Sequence, residues 1–128
     1  MYNYKSYLQE VNSMSFEEST DIYEKLMAEL DFHDIDIKEL WDELIENSLE
    51  YATIRSKWLT LPTSEERFEK DQARTMKHNL VIISFNVLSR YLEKIGKDTS
   101  WRSQLGEDRK RIGDFVCYIA YILGLNAR

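Results

Sequence analysis

The chain has 128 residues, one cysteine and a formal net charge of −6. That length is usual for one domain, read here as residues 1–128; the charge argues against gripping nucleic-acid backbones as the main activity, and a lone Cys117 excludes an internal disulfide or a multi-cysteine zinc centre. One proline and four glycines favour helix, and no alternating strand pattern flanked by hairpin turn signals is present.

The first residues, Met1-Tyr2-Asn3-Tyr4-Lys5, lack the charged and then apolar pattern of a secretory signal. The most apolar stretch, Phe115 to Leu125, has eleven residues, where a membrane span needs about 20. A soluble cytoplasmic protein is therefore expected. Tyr4, Tyr7, Leu8 and Val11 have helical spacing, so residues 1–14 read as an arm or a short helix. Its tyrosines suit either packing onto the body, the favoured reading, or a homodimer clasp.

Ser15 and Glu18 have capping-box spacing and open a first helix to about Leu30, with Phe16, Tyr23, Leu26, Met27 and Leu30 inward. Asp31 to Asp34 is a polar break. Asp36, with Glu39 three residues on, caps a second helix to about Leu59. Its seam is Ile37, Trp41, Leu44, Ser48, Tyr51, Arg55 and Trp58, widened by Ile45, Leu49, Ala52 and Leu59. Leu61-Pro62-Thr63-Ser64 is the strongest punctuation mid-chain, because Pro62 lacks a helix donor and Thr63 or Ser64 can cap. The third helix runs from about Ser64 to Ile95 and stops at Gly96. A fourth begins near Ser100 or Glu107, with Gly106 a potential interruption, and ends near Gly124. From Phe115 onward it is apolar on nearly every face, which places it centrally. Gly113, Cys117, Ala120 and Gly124 form a small-residue stripe that lets a neighbour approach closely. Short connections imply antiparallel neighbours. The expected fold is all-α: an antiparallel up-down four-helix bundle, with or without a short additional N-terminal helix. A third helix that outruns its partners would invite a dimer.

The third helix carries the most informative pattern. Asp71, Arg74, His78, Val81, Phe85, Leu88, Leu92 and Ile95 recur every three or four residues and share one stripe. Its first three members are polar where apolar side chains are expected, and buried charge is costly unless paired. Arg55 lies about as far before the Pro62 turn as Asp71 lies after it. An Arg55–Asp71 ion pair is expected, with Arg74 near Tyr51, His78 near Ser48, and the far end of the fourth helix (Tyr118, Tyr121) at the same level. Arg55, Asp71, Arg74, His78, Tyr118 and Tyr121 are the candidate ligand-binding residues. The bland alternative is a structural polar layer that fixes helix register, or a solvated rim. Two arginines against one aspartate favour an anion among ligands.

Weaker signals stand beside it. Glu43-x-x-Glu46 and Glu66-x-x-Glu69 resemble the paired acidic motifs of MazG-type pyrophosphohydrolases, all-α enzymes that bind Mg²⁺ through such pairs; this match implies nucleotide pyrophosphate hydrolysis. Here the second pair ends in glutamate instead of aspartate. At 100° per residue, Glu39, Glu43, Glu46 and Glu50 also sit about 100–160° from Leu44, facing solvent. Arg74-x-x-x-His78 resembles the Arg-x₄₋₆-His motif of the HEPN ribonucleases, helical bundles whose arginine and histidine meet in a dimer cleft to cleave RNA. The spacing is shorter, with Thr75 after the arginine. Asp31-x-His33-Asp34-x-Asp36 groups metal-ligand types, but aspartates before a helix are ordinary caps, and no second histidine stands at zinc spacing. The acidic residues Glu107, Asp108 and Asp114 are expected to neutralise Arg109-Lys110-Arg111.

No cofactor and no metal are implied, and Cys117 reads as a small buried hydrophobe. The leading expectation is a non-enzymatic protein-interaction or regulatory module, with self-association or a protein partner plausible, a small anionic ligand possible, and no membrane or nucleic acid. The alternative is an enzyme acting on a phosphate-containing small molecule or RNA, in which Arg74 holds the anion and His78 moves a proton.

Overall fold

The computed structural model describes residues 8–9, 12–58 and 64–124, without the side chains of Trp58 and Ser64. Among the described residues, five helices of six residues or more pack together: α1 (Phe16–Ala28), α2 (Ile35–Trp58), α3 (Ser64–Lys94), α4 (Ser100–Leu105) and α5 (Arg109–Ile122). No strand occurs among the described residues. None of these helices is long and apolar enough to cross a membrane.

Local chemistry sets the ends. Ser15 Oγ accepts the Glu18 N–H at 3.0 Å, half of the expected capping box. The other half is missing because the Glu18 carboxylate turns to Arg111 instead. At α2 the cap is Asp34, not Asp36: the helix starts two residues earlier, and Asp34 Oδ1 accepts from Asp36 N (2.9 Å) and Ile37 N (3.3 Å). α3 closes as a Schellman turn, in which Lys97 N–H reaches Leu92 O at 2.9 Å across Gly96 at φ +83°. Ile95, expected on the core seam, is 40% exposed because it lies past the last helical residue. The expected fourth helix is two helices. Gly106 adopts φ +82° between them, and Asp108 Oδ1 recaps α5 by accepting Lys110 N–H at 2.9 Å. The Pro62 turn, Thr63, and Tyr2, Tyr4, Tyr7 and Val11 lie outside the described residues.

α2 and α3 run antiparallel. Asn47 meets Ser84 (3.1 Å), Glu50 pairs with Lys77, and the Tyr51 ring stacks on His78 at 4.9 Å. Their facing seams bury Ile37, Leu44, Ser48 and Tyr51 against Val81, Phe85, Leu88 and Leu92. Burying each large apolar side chain contributes about 1.5–3 kcal/mol. α5 is covered on every side, every residue from Ile112 to Ala120 being buried. Its apolar surround is readable from the sequence, and so is a small-residue stripe that lets a neighbour approach closely; the structure places one member of it, Gly113, against both α2 and α3. A Cβ at Gly113 would lie 2.8 Å from the Tyr51 hydroxyl, 3.3 Å from His78 Nε2 and 3.4 Å from an Arg55 nitrogen. That close approach brings α5 onto the polar end of the α2–α3 seam.

Candidate functional site

Three helices build the site. α2 supplies Tyr51 and Arg55, one turn apart. α3 supplies Arg74, Thr75 and His78. α5 adds Lys110. Together they line a cleft of about 310 Å³. Beneath it lies Asp114, whose side chain is fully buried. Its carboxylate accepts from Ser13 N (2.7 Å), Ser13 Oγ (2.6 Å), Lys110 Nζ (3.1 Å) and the Arg55 guanidinium. Burial pushes the Asp114 pKa up. The Ser13 donors and the Arg55 charge outweigh that and hold it below the usual carboxylate value. Arg55 also reaches the buried Cys117 Sγ at 3.5 Å.

His78 is held in a defined state. Its Nε2 lies 2.8 Å from the Arg109 carbonyl oxygen. A carbonyl only accepts, so Nε2 carries the proton, and the neutral ring keeps its lone pair on Nδ1. Burial lowers the His78 pKa. The Arg109 carbonyl opposes this, and the charges of Arg109, Arg55 and Arg74 add to the lowering. The ring is therefore neutral at neutral pH. Burial likewise raises the Tyr51 pKa against the influence of Arg55, so Tyr51 stays a phenol. The cleft thus presents guanidinium and ammonium donors, a neutral imidazole and a phenol, the groups that bind an anion.

The expected cluster is part right and part wrong. Tyr51, Arg55, Arg74 and His78 do converge. Arg55, however, faces Asp114 and not Asp71. Asp71 pairs with Arg74 on its own helix, three residues away, at the outer rim. The two arginines thus have separate carboxylates. Tyr118 and Tyr121 lie elsewhere. The Tyr118 hydroxyl bonds Thr20 Oγ1 at 2.5 Å, and both rings pack on Phe16, at 5.7 and 5.4 Å. It is the first half of α5, not its far end, that reaches the His78 level: the Arg109 carbonyl lies 2.8 Å from His78 Nε2, and Gly113 lies against Tyr51 and His78. Ser48 is buried below the cluster and donates to Leu44 O at 2.6 Å.

The sequence marks Asp114 only as a neutraliser of the basic run, and in part it is one, through Lys110. The signal that could have found it was its helical spacing to Cys117 and Tyr118, which sets a carboxylate at the head of a buried stripe. The rest of the basic run is held differently: Arg111 pairs with Glu18, and Arg109 donates to Asn79 Oδ1 at 2.6 Å.

The remaining acidic groups have local roles. Glu43, Glu46, Glu66 and Glu69 are exposed. Asp31 accepts from His33, and Asp34 both caps α2 and accepts the Tyr91 hydroxyl at 2.9 Å. Among the described residues, no three His, Cys, Asp or Glu side chains converge to hold a metal ion. A larger hollow of about 600 Å³ beside α1 and Gln104 is lined by Glu17, Glu18, Asp21 and Glu24; Glu18 and Asp21 already pair with Arg111 and Lys25, and its described lining includes no histidine, so the smaller cleft carries the chemistry. Compared with known proteins, the chain matches no family model, no curated protein and no solved structure.

Proposed function

We propose that the protein is a non-enzymatic interaction or regulatory module that binds an anionic group, a phosphate-bearing small molecule or a partner's acidic side chain, in the α2–α3–α5 cleft. One observation carries the reading: Arg55, Arg74 and Lys110 reach one concavity beside a histidine kept neutral. Asp71 pairs with Arg74 at the rim, and Asp114 with Arg55 and Lys110. Asp114 lies below the cleft and positions Arg55 and Lys110, which lowers the ordering cost of gripping a ligand. The same reading takes the chain as one domain, an up-down bundle of α1, α2, α3 and α5. The antiparallel α2–α3 pair supports that order.

The test is a thermal-shift titration with inorganic phosphate, pyrophosphate and nucleotides at constant ionic strength. A ligand at a hundred times its Kd adds about 2.7 kcal/mol, roughly 10 °C for a chain of this length. Arg74→Gln is expected to abolish the shift. No shift with any of these anions, or a shift unaltered in Arg74→Gln, counts against the small-molecule form and leaves acidic peptides to be assayed the same way.

A second reading has an observation of its own. Arg74 and His78 reach the same cleft, and the Nδ1 lone pair of His78 can take a proton. In this reading an enzyme acts on a phosphate ester or RNA, with Arg74 holding the anion and His78 as base. Turnover of a phosphodiester that is lost in His78→Ala would favour it over simple binding.

A further inference from the structure

α3 has a second apolar face that no described part of the chain covers. Met76, Leu80, Ile83 and Val87 are 62, 37, 56 and 40% exposed. They are spaced four, three and four residues, the repeat of a helix-pairing seam. At 100° per residue with Val81 at zero, they lie between about −100° and −160°. The core seam (Arg74, His78, Val81, Phe85, Leu88, Leu92) stays within about 60° of zero. The helix is thus greasy on two sides, one turned into its own bundle and one turned out.

The ends of the outer stripe are charged with opposite sign. Glu65 and Glu69 continue the same arc before Met76, and Lys94 continues it after Val87, with Arg90 about 20° beyond. All four are exposed. This arrangement is self-complementary in one orientation only. If two copies lie antiparallel about a two-fold axis, Leu80 faces Ile83 of the second copy, Met76 faces Val87, and Glu69 faces Lys94. In a parallel pair, like charges would meet at both ends.

We infer that the outer face of α3 is a homodimer interface in which two copies pair antiparallel, Leu80 against Ile83, with the Glu65/Glu69 end of each against the Arg90/Lys94 end of the other. The contact is isologous and closes on itself, so it yields dimers and not filaments. Four apolar side chains per copy make a small seam, below the size of an obligate interface. The dimer is therefore reversible with concentration. The inference stands apart from the anion cleft, which lies on the other side of α3.

Sedimentation equilibrium over a series from low micromolar to near millimolar tests it. The mass is expected to rise from 15.3 kDa towards twice that value. Ile83→Glu should hold the chain as a monomer with its helical circular dichroism unchanged, since the position is exposed. The charge variants fix the orientation. Arg90→Glu with Lys94→Glu should weaken the dimer at least tenfold, and so should Glu65→Lys with Glu69→Lys. All four together should restore it. A monomer throughout the series overturns the inference. So does a dimer insensitive to Ile83→Glu, or a fourfold variant no tighter than the two double variants.

Discussion

Truncating Asp114 to alanine is the sharpest test of how the polar end of the core is held. The side chain is fully buried, and that of Arg55 is only 13% exposed. Asp114→Ala leaves a nearly buried guanidinium without its described carboxylate. Breaking a buried pair from one side costs about 3–5 kcal/mol. Unfolding entropy scales with length, so for 128 residues each kcal/mol moves Tm by about 4 °C. A fall of roughly 10–20 °C is expected. Arg55→Ala should cost less, about 2–3 kcal/mol, because Ser13 and the half-exposed Lys110 still donate to the carboxylate. The double variant should fall short of the sum by about 1–3 kcal/mol. The pH dependence has a definite sign. The folded-state pKa of Asp114 lies below its usual 3.8, so its contribution is present above that value and lost as pH falls below it. The gap between wild type and Asp114→Ala should close in that range. Urea unfolding of the four proteins from acid to neutral pH measures all of this. A deficit under about 1 kcal/mol for Asp114→Ala, or strict additivity, would refute the assignment of a coupled buried pair.

Other outcomes follow from the same geometry. His78 has a lowered folded-state pKa, so protonation favours the unfolded chain; wild-type stability should drop as pH falls below about 6.5, and urea midpoints of His78→Gln should lose that component. Gly113→Ala gains about 1 kcal/mol of helix propensity but drives a methyl group to 2.8 Å from the Tyr51 hydroxyl, where overpacking costs about 1–3 kcal/mol. A net loss of about 1 kcal/mol is expected from thermal unfolding, and a clear gain in Tm would contradict the packing described. Ser15→Ala removes the α1 cap and should cost about 1 kcal/mol in the same assay.

The helices were legible because their signals are local. Ser15, Gly96 and the three-four spacing of Val81, Phe85, Leu88 and Leu92 act over one or two turns, and they fix where a helix starts, stops and faces. The core partnership of α2 and α3 followed from their facing stripes. The partner of Arg55 did not. Hairpin symmetry around Pro62 pointed to Asp71, but Gly113 lets α5 come close enough to insert Asp114 between them, and contacts over 59 residues of sequence leave no local mark. The displacement of Tyr118 and Tyr121 has the same origin. The break at Gly106 shortens the last helix and changes which end of it meets His78. The outer stripe of α3 is masked in the sequence for a different reason: a helix apolar on two sides shows no single periodic face.

The bonds that Ser13 makes to Asp114 span 101 positions of sequence. A chain emerging from the ribosome makes α1, α2 and α3 well before α5, and until α5 appears, Arg55 lacks Asp114 and Phe85 lacks the ring of Phe115. Completion of this core is therefore a late, nearly whole-chain event, and a chain interrupted before Asp114 leaves apolar surface uncovered, the kind of species that chaperones and proteases act on.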